Sequence, residues 1–212
     1  MGPQPLNALS LFDPIIRLYQ RGYKLKGILD IGAHRGMFTG NLKNVWPEAN
    51  AMLFEANPRM QERLASLPFE YKICLLGGDE RMVEYFVDRN NPESTGNSIY
   101  LETTEHFVDP ICIQLPMHRL DSLVADPSRF DFMKLDVQGA ELDVLRGGEK
   151  TLSWMKYVFV EVSLQEYNRG APLFLDIYKY LDDRGFCLID MSEFVMRDNK
   201  IMQFNAFFER RG

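Results

Sequence analysis

Cysteine is scarce in this chain, and so is any surplus of positive charge. The three cysteines, Cys74, Cys112 and Cys187, are odd in number, far apart and set in apolar runs. That spacing excludes a disulfide framework and offers no zinc-ligand pattern, so reduced thiols and a cytoplasmic setting are expected. Lys and Arg number 24 against 30 Asp and Glu, a net charge of −6. Proteins that bind nucleic acid draw much of their affinity from basic side chains on phosphates, so no nucleic-acid partner is expected. A long apolar run is also missing, which excludes a helical membrane span. The N-terminus shows no charged segment leading into an apolar one, and Leu6 stands where an N-myristoylation signal needs Ser or Thr; neither a signal peptide nor a lipid anchor is expected. No internal repeat or low-complexity stretch occurs. What is present is 46% apolar and 25% charged residues over 212 positions, enough for one well-buried core and too little for two ordinary domains. A single domain, 1–212, is the expectation.

The most informative stretch is Gly27-Ile28-Leu29-Asp30-Ile31-Gly32-Ala33-His34-Arg35-Gly36. It reads as a buried strand that ends in an acid and runs into a glycine turn before a helix. A dinucleotide fingerprint needs three close glycines and a turn that accepts a pyrophosphate. Here the spacing is D-x-G-x-x-x-G, with a carboxylate where that anion would approach, which speaks against an NAD-dependent oxidoreductase. The site wants a cation. S-adenosylmethionine, which carries an ammonium and a sulfonium and no phosphate, meets that need, with its methionyl end near Asp30 and the Gly32, Ala33, His34 and Gly36 backbone. Gly32 is expected to allow close approach of the cofactor and Gly36 to let the helix start tight against the strand.

A second apolar run, Ala51-Met52-Leu53-Phe54-Glu55-Ala56-Asn57-Pro58, again ends in an acid, and Glu55 follows Asp30 by 25 positions. A carboxylate at the tip of the second strand of such a unit accepts hydrogen bonds from a ribose diol. Glu55, Ala56 and Asn57 are therefore candidate nucleoside contacts.

Around these two strands the periodicity predicts a helical cover at the N-terminus, within residues 1–25, and a helix from Met37 to Trp46. A helix after Pro58 and a third strand from Tyr71 to Leu76 follow. This βαβα alternation predicts a parallel sheet. The pattern then changes: Met82–Val87 and Ile111–Leu115 read as strands with no helix between them, an inserted hairpin within 82–118. Its residues 88–98, rich in Asn, Pro, Ser, Thr and Gly, form a long loop of the kind that is commonly functional. A short helix at Leu120–Val124 precedes strands at Phe130–Val137 and Tyr157–Val162, then a helix over Pro172–Arg184. Two last strands, Phe186–Ile189 and Met202–Phe208, are joined by a polar turn at Arg197–Lys200. The expected fold is α/β and Rossmann-like: a mostly parallel seven-stranded sheet with an antiparallel C-terminal strand.

Asp30, Glu55, Asp136 and Glu161 all fall at strand tips, and a parallel sheet brings such tips to one carboxyl edge. Asp136 is the first candidate for a general base, with Glu161 and Glu141 behind it. Each acid also has a reading as a helix cap or first-turn residue. Asp136 and Glu161 could alternatively share a Mg²⁺ ion that lowers the pKa of a bound diol. His34 and His118 are weaker base candidates, since a lone histidine is more often structural.

Three blocks carry a resemblance to a known family: Leu29–Gly36, Phe54–Pro58 and above all Lys134-Leu135-Asp136-Val137-Gln138-Gly139-Ala140-Glu141-Leu142-Asp143-Val144-Leu145-Arg146-Gly147-Gly148. Together they resemble the FkbM methyltransferases, in an order that covers roughly residues 25–165. The resemblance implies a class I fold, S-adenosylmethionine as cofactor, and O-methylation of a hydroxyl on a sugar, polysaccharide or polyketide. Asn97-Ser98 is similar to the small-residue turn of that family's inserted loop, which makes Ser98 a further cofactor contact. A catalytically inactive nucleoside- or partner-binding domain is the rival reading. The residues fix no oligomeric state.

Overall fold

The computed structural model describes residues 10–105 and 107–212. Helix α1 (Asp13–Gln20) precedes β1 (Gly27–Ile31), α2 (Met37–Val45) and β2 (Asn50–Glu55). A 3₁₀ turn at Pro58–Met60 leads into α3 (Gln61–Ala65), and β3 (Glu70–Ile73) completes the first half. Residues 1–9 of the expected N-terminal cover lie outside the described residues. The second half consists of β7 (Phe132–Leu135), α5 (Glu141–Gly147), α6 (Glu149–Leu152), β8 (Tyr157–Ser163), α7 (Phe174–Asp182), β9 (Phe186–Arg197) and β10 (Lys200–Arg210). Between the halves lie β4 (Leu75–Leu76), β5 (Arg81–Val87), β6 (Ile111–His118) and α4 (Leu120–Leu123).

The main sheet has the order β3-β2-β1-β7-β8-β10-β9, with β10 antiparallel to both its neighbours and the other pairings parallel. This is the expected mostly parallel seven-stranded sheet. Both of its faces are covered, which is why β1 is buried along its whole length and reads as a continuous apolar run broken by one acid. Alternation divides β1 between two cores. Leu29 and Ile31 pack with Val158, Val160, Ile177 and Leu181 on one face, while Ile28 packs with Ile15, Leu18, Phe38 and Leu42 on the other. Asp30 shares the parity of Ile28 and therefore points toward α2.

Three boundaries differ from the sequence reading. The strand expected over Tyr71–Leu76 is split at Cys74, because Leu75 and Leu76 leave β2 to pair with Met117 and His118 of β6. They join a separate three-stranded sheet, β4-β6-β5, whose antiparallel pair β5–β6 is the expected hairpin. Strand β6 also runs through Pro116, three residues beyond its expected end. The proline is tolerated because β4 pairs only with the two residues after it, leaving that edge of Pro116 free. At the C-terminus, β9 and β10 are longer than expected and meet at Asp198-Asn199, both with left-handed backbone, the two-residue turn that matches strand twist. Among the described residues no helix is long and apolar enough to cross a membrane.

Candidate functional site

Strand order reverses between β1 and β7, and open α/β sheets bind ligands at the carboxyl ends of the strands at such a switch point. A cavity of about 70 Å³ lies there, several times the roughly 10–15 Å³ that one water requires. Part of the lining is apolar, formed by Phe54, Ala56, Leu75, Leu76, Tyr85 and Ile99. The rest is polar and includes Glu55, His34, Asn97, Asp136 and Gln138. Cys74 also lines it, and burial pushes its thiol up to about 11, so it stays protonated at neutral pH.

The glycine turn closes one end. Gly32 and Ala33 both donate their backbone N–H to the Phe54 carbonyl at 3.0 Å, and the His34 N–H donates to Glu55 Oε2 at 2.7 Å. Gly32 has a φ of +75°, and a Cβ there would overlap the Asp136 carbonyl. The close approach expected at Gly32 is thus to the β7 chain end, and only its lining position faces the cavity. Gly36 has a φ of +72°, and a Cβ there would meet Leu67 at 2.5 Å and Leu53 at 3.2 Å. It lets α2 start against the β2–α3 layer. Gly36 and Ala33 are not part of the cavity lining.

Asp30 sits behind the wall, fully buried. Its Oδ2 accepts from Thr39 Oγ1 at 2.7 Å, while Oδ1 has no hydrogen-bond donor. The nearest cation is Lys134 Nζ, 3.5 Å from that oxygen. Glu55 at the β2 tip is buried and faces the cavity, with Oε1 accepting from the Asn57 N–H at 2.7 Å. Burial raises its proton affinity despite these amides. Asn57, a candidate cofactor contact, is not among the cavity-lining residues and acts as a cap and a tether. Its Oδ1 accepts from the Arg59 N–H at 3.1 Å and its Nδ2 donates to the Pro92 carbonyl at 2.7 Å.

At the β7 tip, Asp136 lines the cavity and is linked to Glu161 by one amide. Gln138 Nε2 donates to Asp136 Oδ1 at 3.0 Å and to Glu161 Oε2 at 2.8 Å. Gln203 Nε2 donates to the other Glu161 oxygen at 2.7 Å. Burial, then the Asp136 and Glu141 carboxylates, push Glu161 well above the usual carboxylate range. The Mg²⁺ alternative finds no support, because the Gln138 amide occupies the position between the two carboxylates. Among the described residues no group of three His, Cys, Asp or Glu side chains is arranged for a metal.

Glu141 is not in the cavity wall. Its carboxylate lies under the loop after β7, accepting from the Val137 N–H at 2.8 Å and the Gly139 N–H at 3.1 Å, and burial pushes it up to about 7. It fixes the loop that aims Asp136 and Gln138. Gln138 itself has a left-handed backbone (φ +54°), held because its carbonyl accepts from Ser98 Oγ at 2.7 Å and Asn168 Nδ2 at 2.9 Å. The Ser98 hydroxyl, a candidate cofactor contact, is therefore engaged by the protein even though the residue lines the cavity.

The inserted loop covers the cavity from above. His34 Nε2 reaches the Glu93 carbonyl at 2.9 Å, Arg35 pairs with the Glu93 carboxylate at 2.7 Å, and Asn97 Nδ2 donates to the Pro92 carbonyl at 3.0 Å. His118 lies elsewhere, 2.9 Å from Glu80. Sequence reasoning gave no role to Lys134, to the Gln138 side chain, to Gln203 or to Tyr85. Lys134 and Gln138 each touch Asp136, two positions away, but their partners at Gly32, Asp30 and Glu161, like the Glu161 partner of Gln203, lie far along the chain.

Comparison with known proteins identifies the family. The Methyltransferase FkbM domain matches residues 30–188, well over half of the chain. The chain belongs to the FkbM methyltransferase family. Among curated proteins it is 26% identical over 185 residues to the 2-O-methyltransferase NoeI of Sinorhizobium fredii, covering 79% of this chain and 74% of that protein. The fold is shared with a crystal structure of methyltransferase FkbM from Methylobacillus flagellatus KT, at a TM-score of 0.59 and 14% identity. That match covers 87% of this chain but only 43% of the other, so this FkbM chain spans less than half of that relative. Magnesium protoporphyrin IX methyltransferase from Synechocystis PCC 6803, solved with bound SAM, matches at a TM-score of 0.51 and 12% identity, covering 95% of this chain and 78% of that one.

Proposed function

We propose that the cavity binds S-adenosylmethionine and that the protein, acting as one methyltransferase domain, transfers the methyl group to a hydroxyl of a sugar, polysaccharide or polyketide-type molecule. The observation that carries this reading is that two strand-tip acids, Glu55 and Asp136, line one cavity together with a cluster of apolar side chains. Glu55 retains lone pairs toward the cavity for a ribose diol. The wall of Leu75, Leu76, Tyr85 and Ile99 suits the flat, weakly polar face of a purine. Asp30 Oδ1 and Asp136 Oδ2 lie 3.5 Å and 3.3 Å from the Lys134 ammonium, two acidic side chains to one basic one, and a cationic methionyl end suits that surplus of acids.

When bound, S-adenosylmethionine supplies an electrophilic methyl group. The chain supplies position and a proton acceptor. Positioning alone contributes much of the rate of an in-line displacement, and the Gly32 turn and the Val137–Gly139 loop hold the two cavity ends rigidly. The hydroxyl proton leaves toward the Asp136–Glu161 pair, which shares the Gln138 amide. A 2-O-methyltransferase relative favours an oxygen acceptor, and the net negative charge gives no general electrostatic pull toward nucleic acid. Incubation with cofactor labelled in the methyl group and a panel of sugars, hydroxylated natural products and RNA tests this. Label in an ether-linked methyl of a sugar or polyketide is expected; label found only in RNA or on nitrogen would overturn it.

A further inference from the structure

Lys134 is a buried cation in the centre of a parallel strand, its side chain 8% exposed. Its Nζ donates to the Gly32 carbonyl at 2.8 Å and lies 3.3 Å from Asp136 Oδ2 and 3.5 Å from Asp30 Oδ1. The position follows Phe132 on the face turned toward α2, where an apolar side chain would satisfy the fold. Burying an ion pair is often no more stabilising than an apolar replacement of the same volume. A continuous chain of contacts leads from this ammonium through Asp136 and Gln138 Nε2 to Glu161 and on to Gln203.

We propose that Lys134 is a positioning residue for methyl transfer: held between Asp30, the Gly32 carbonyl and Asp136, it sets the charge and geometry of the Asp136–Gln138–Glu161 chain so that the acceptor's proton goes to the Asp136–Glu161 pair. The inference rests on methyl transfer at this site. As the acceptor oxygen forms its bond to carbon and the sulfur–carbon bond breaks, the O–H electron pair stays on oxygen and the proton passes to the Asp136–Glu161 pair. Burial alone would lower the proton affinity of Lys134, but Asp136 and Asp30 outweigh it, so the ammonium keeps its charge. Glu161 faces Lys134 and Asp136 from the β7 side, Glu141 from α5, Glu193 from β9 and Tyr167 from the loop after β8. Of these, Lys134 is the positive group.

The test is an infrared titration of the protonated-carboxyl band that is present in the full-length protein and absent in Glu161→Gln. Removing the cation in Lys134→Met moves the midpoint of that band to higher pH, and Lys134→Arg restores it toward the wild-type position. Asp30→Asn, which keeps shape and frees Lys134 from one carboxylate, moves it to lower pH and serves as the second arm if Lys134→Met does not fold. With a sugar acceptor active on the wild type, kcat of Lys134→Met falls by about ten-fold or more at neutral pH and recovers as pH rises, with KM little changed. Folded variants whose midpoints and pH profiles coincide with the wild type would overturn the proposal and leave Lys134 a purely structural cation. Calorimetry of the wild type with S-adenosylhomocysteine separates the two claims, since failure to bind it removes the methyl-transfer reading without altering the infrared result.

Discussion

The two walls of the cavity are held in different ways. The wall made by the β1, β2 and β7 tips is locked by backbone geometry and buried charge: Gly32 against the Asp136 carbonyl, Glu55 on two amides, Lys134 between two acids. The wall contributed by the insert rests on contacts near the surface, among them an Arg35–Glu93 pair whose side chains are 52% and 47% exposed. Buried groups of the first kind cannot adjust without unpairing a charge or clashing with backbone, whereas a loop tethered at its surface can. The difference teaches where to probe each part of the proposed function: the proposed ribose and methionyl contacts lie on the rigid wall, while the insert brings Tyr85 and Ile99 to the proposed purine face.

The comparison breaks first at Gly32. Gly32→Val puts a branched side chain onto the Asp136 carbonyl and requires an L residue at positive φ, so the rigid wall separates. A loss of several kcal/mol in chemical denaturation, or failure to fold, is expected; a variant with wild-type stability would show that the β1 turn and the β7 end are not locked together. Next is Asp136→Asn, which keeps shape and alters charge. A fall in kcat on the order of 10²-fold is expected, with S-adenosylhomocysteine affinity changed much less. Near-normal turnover would move the proton acceptor off this wall. The smallest effect is expected on the adaptable side. Arg35→Gln removes an exposed ion pair worth about 1 kcal/mol or less, so stopped-flow measurements should show cofactor release accelerated by no more than about five-fold. A change as large as that of Asp136→Asn would mean that the loop is as rigid a part of the site as the strand tips.

The rigid wall was also the legible one. Asp30, Glu55 and Asp136 were readable because each ends an apolar run, and a parallel sheet must bring such ends to one edge. The hairpin insert was readable from a change of period without a helix. The split at Cys74 was not, because Ile73-Cys74-Leu75-Leu76 is one apolar run with no turn residue, and only pairing with Met117 and His118 divides it. Asn57 followed a strand-tip acid and was read as a ligand contact, while its amide in fact caps the Pro58–Met60 turn and ties down Pro92. Glu141 was read as catalytic from its distance past Asp136, yet that same spacing lets it fold back onto the Val137 and Gly139 amides. Lys134 and Gln138 stood without a role in the block that carries the family resemblance most strongly, since their partners at Gly32, Asp30 and Glu161 come from other strands.

The central claim is that Glu55 holds the ribose of S-adenosylmethionine in this cavity. Calorimetry with S-adenosylhomocysteine tests it most directly, comparing the wild type with Glu55→Ala and with NAD as a control ligand. Saturable binding to the wild type, an affinity lower by about 3 kcal/mol in Glu55→Ala when two charge-assisted hydrogen bonds are lost, and no binding of NAD are the results predicted. Equal affinity in the two proteins, or preference for NAD, would contradict the account.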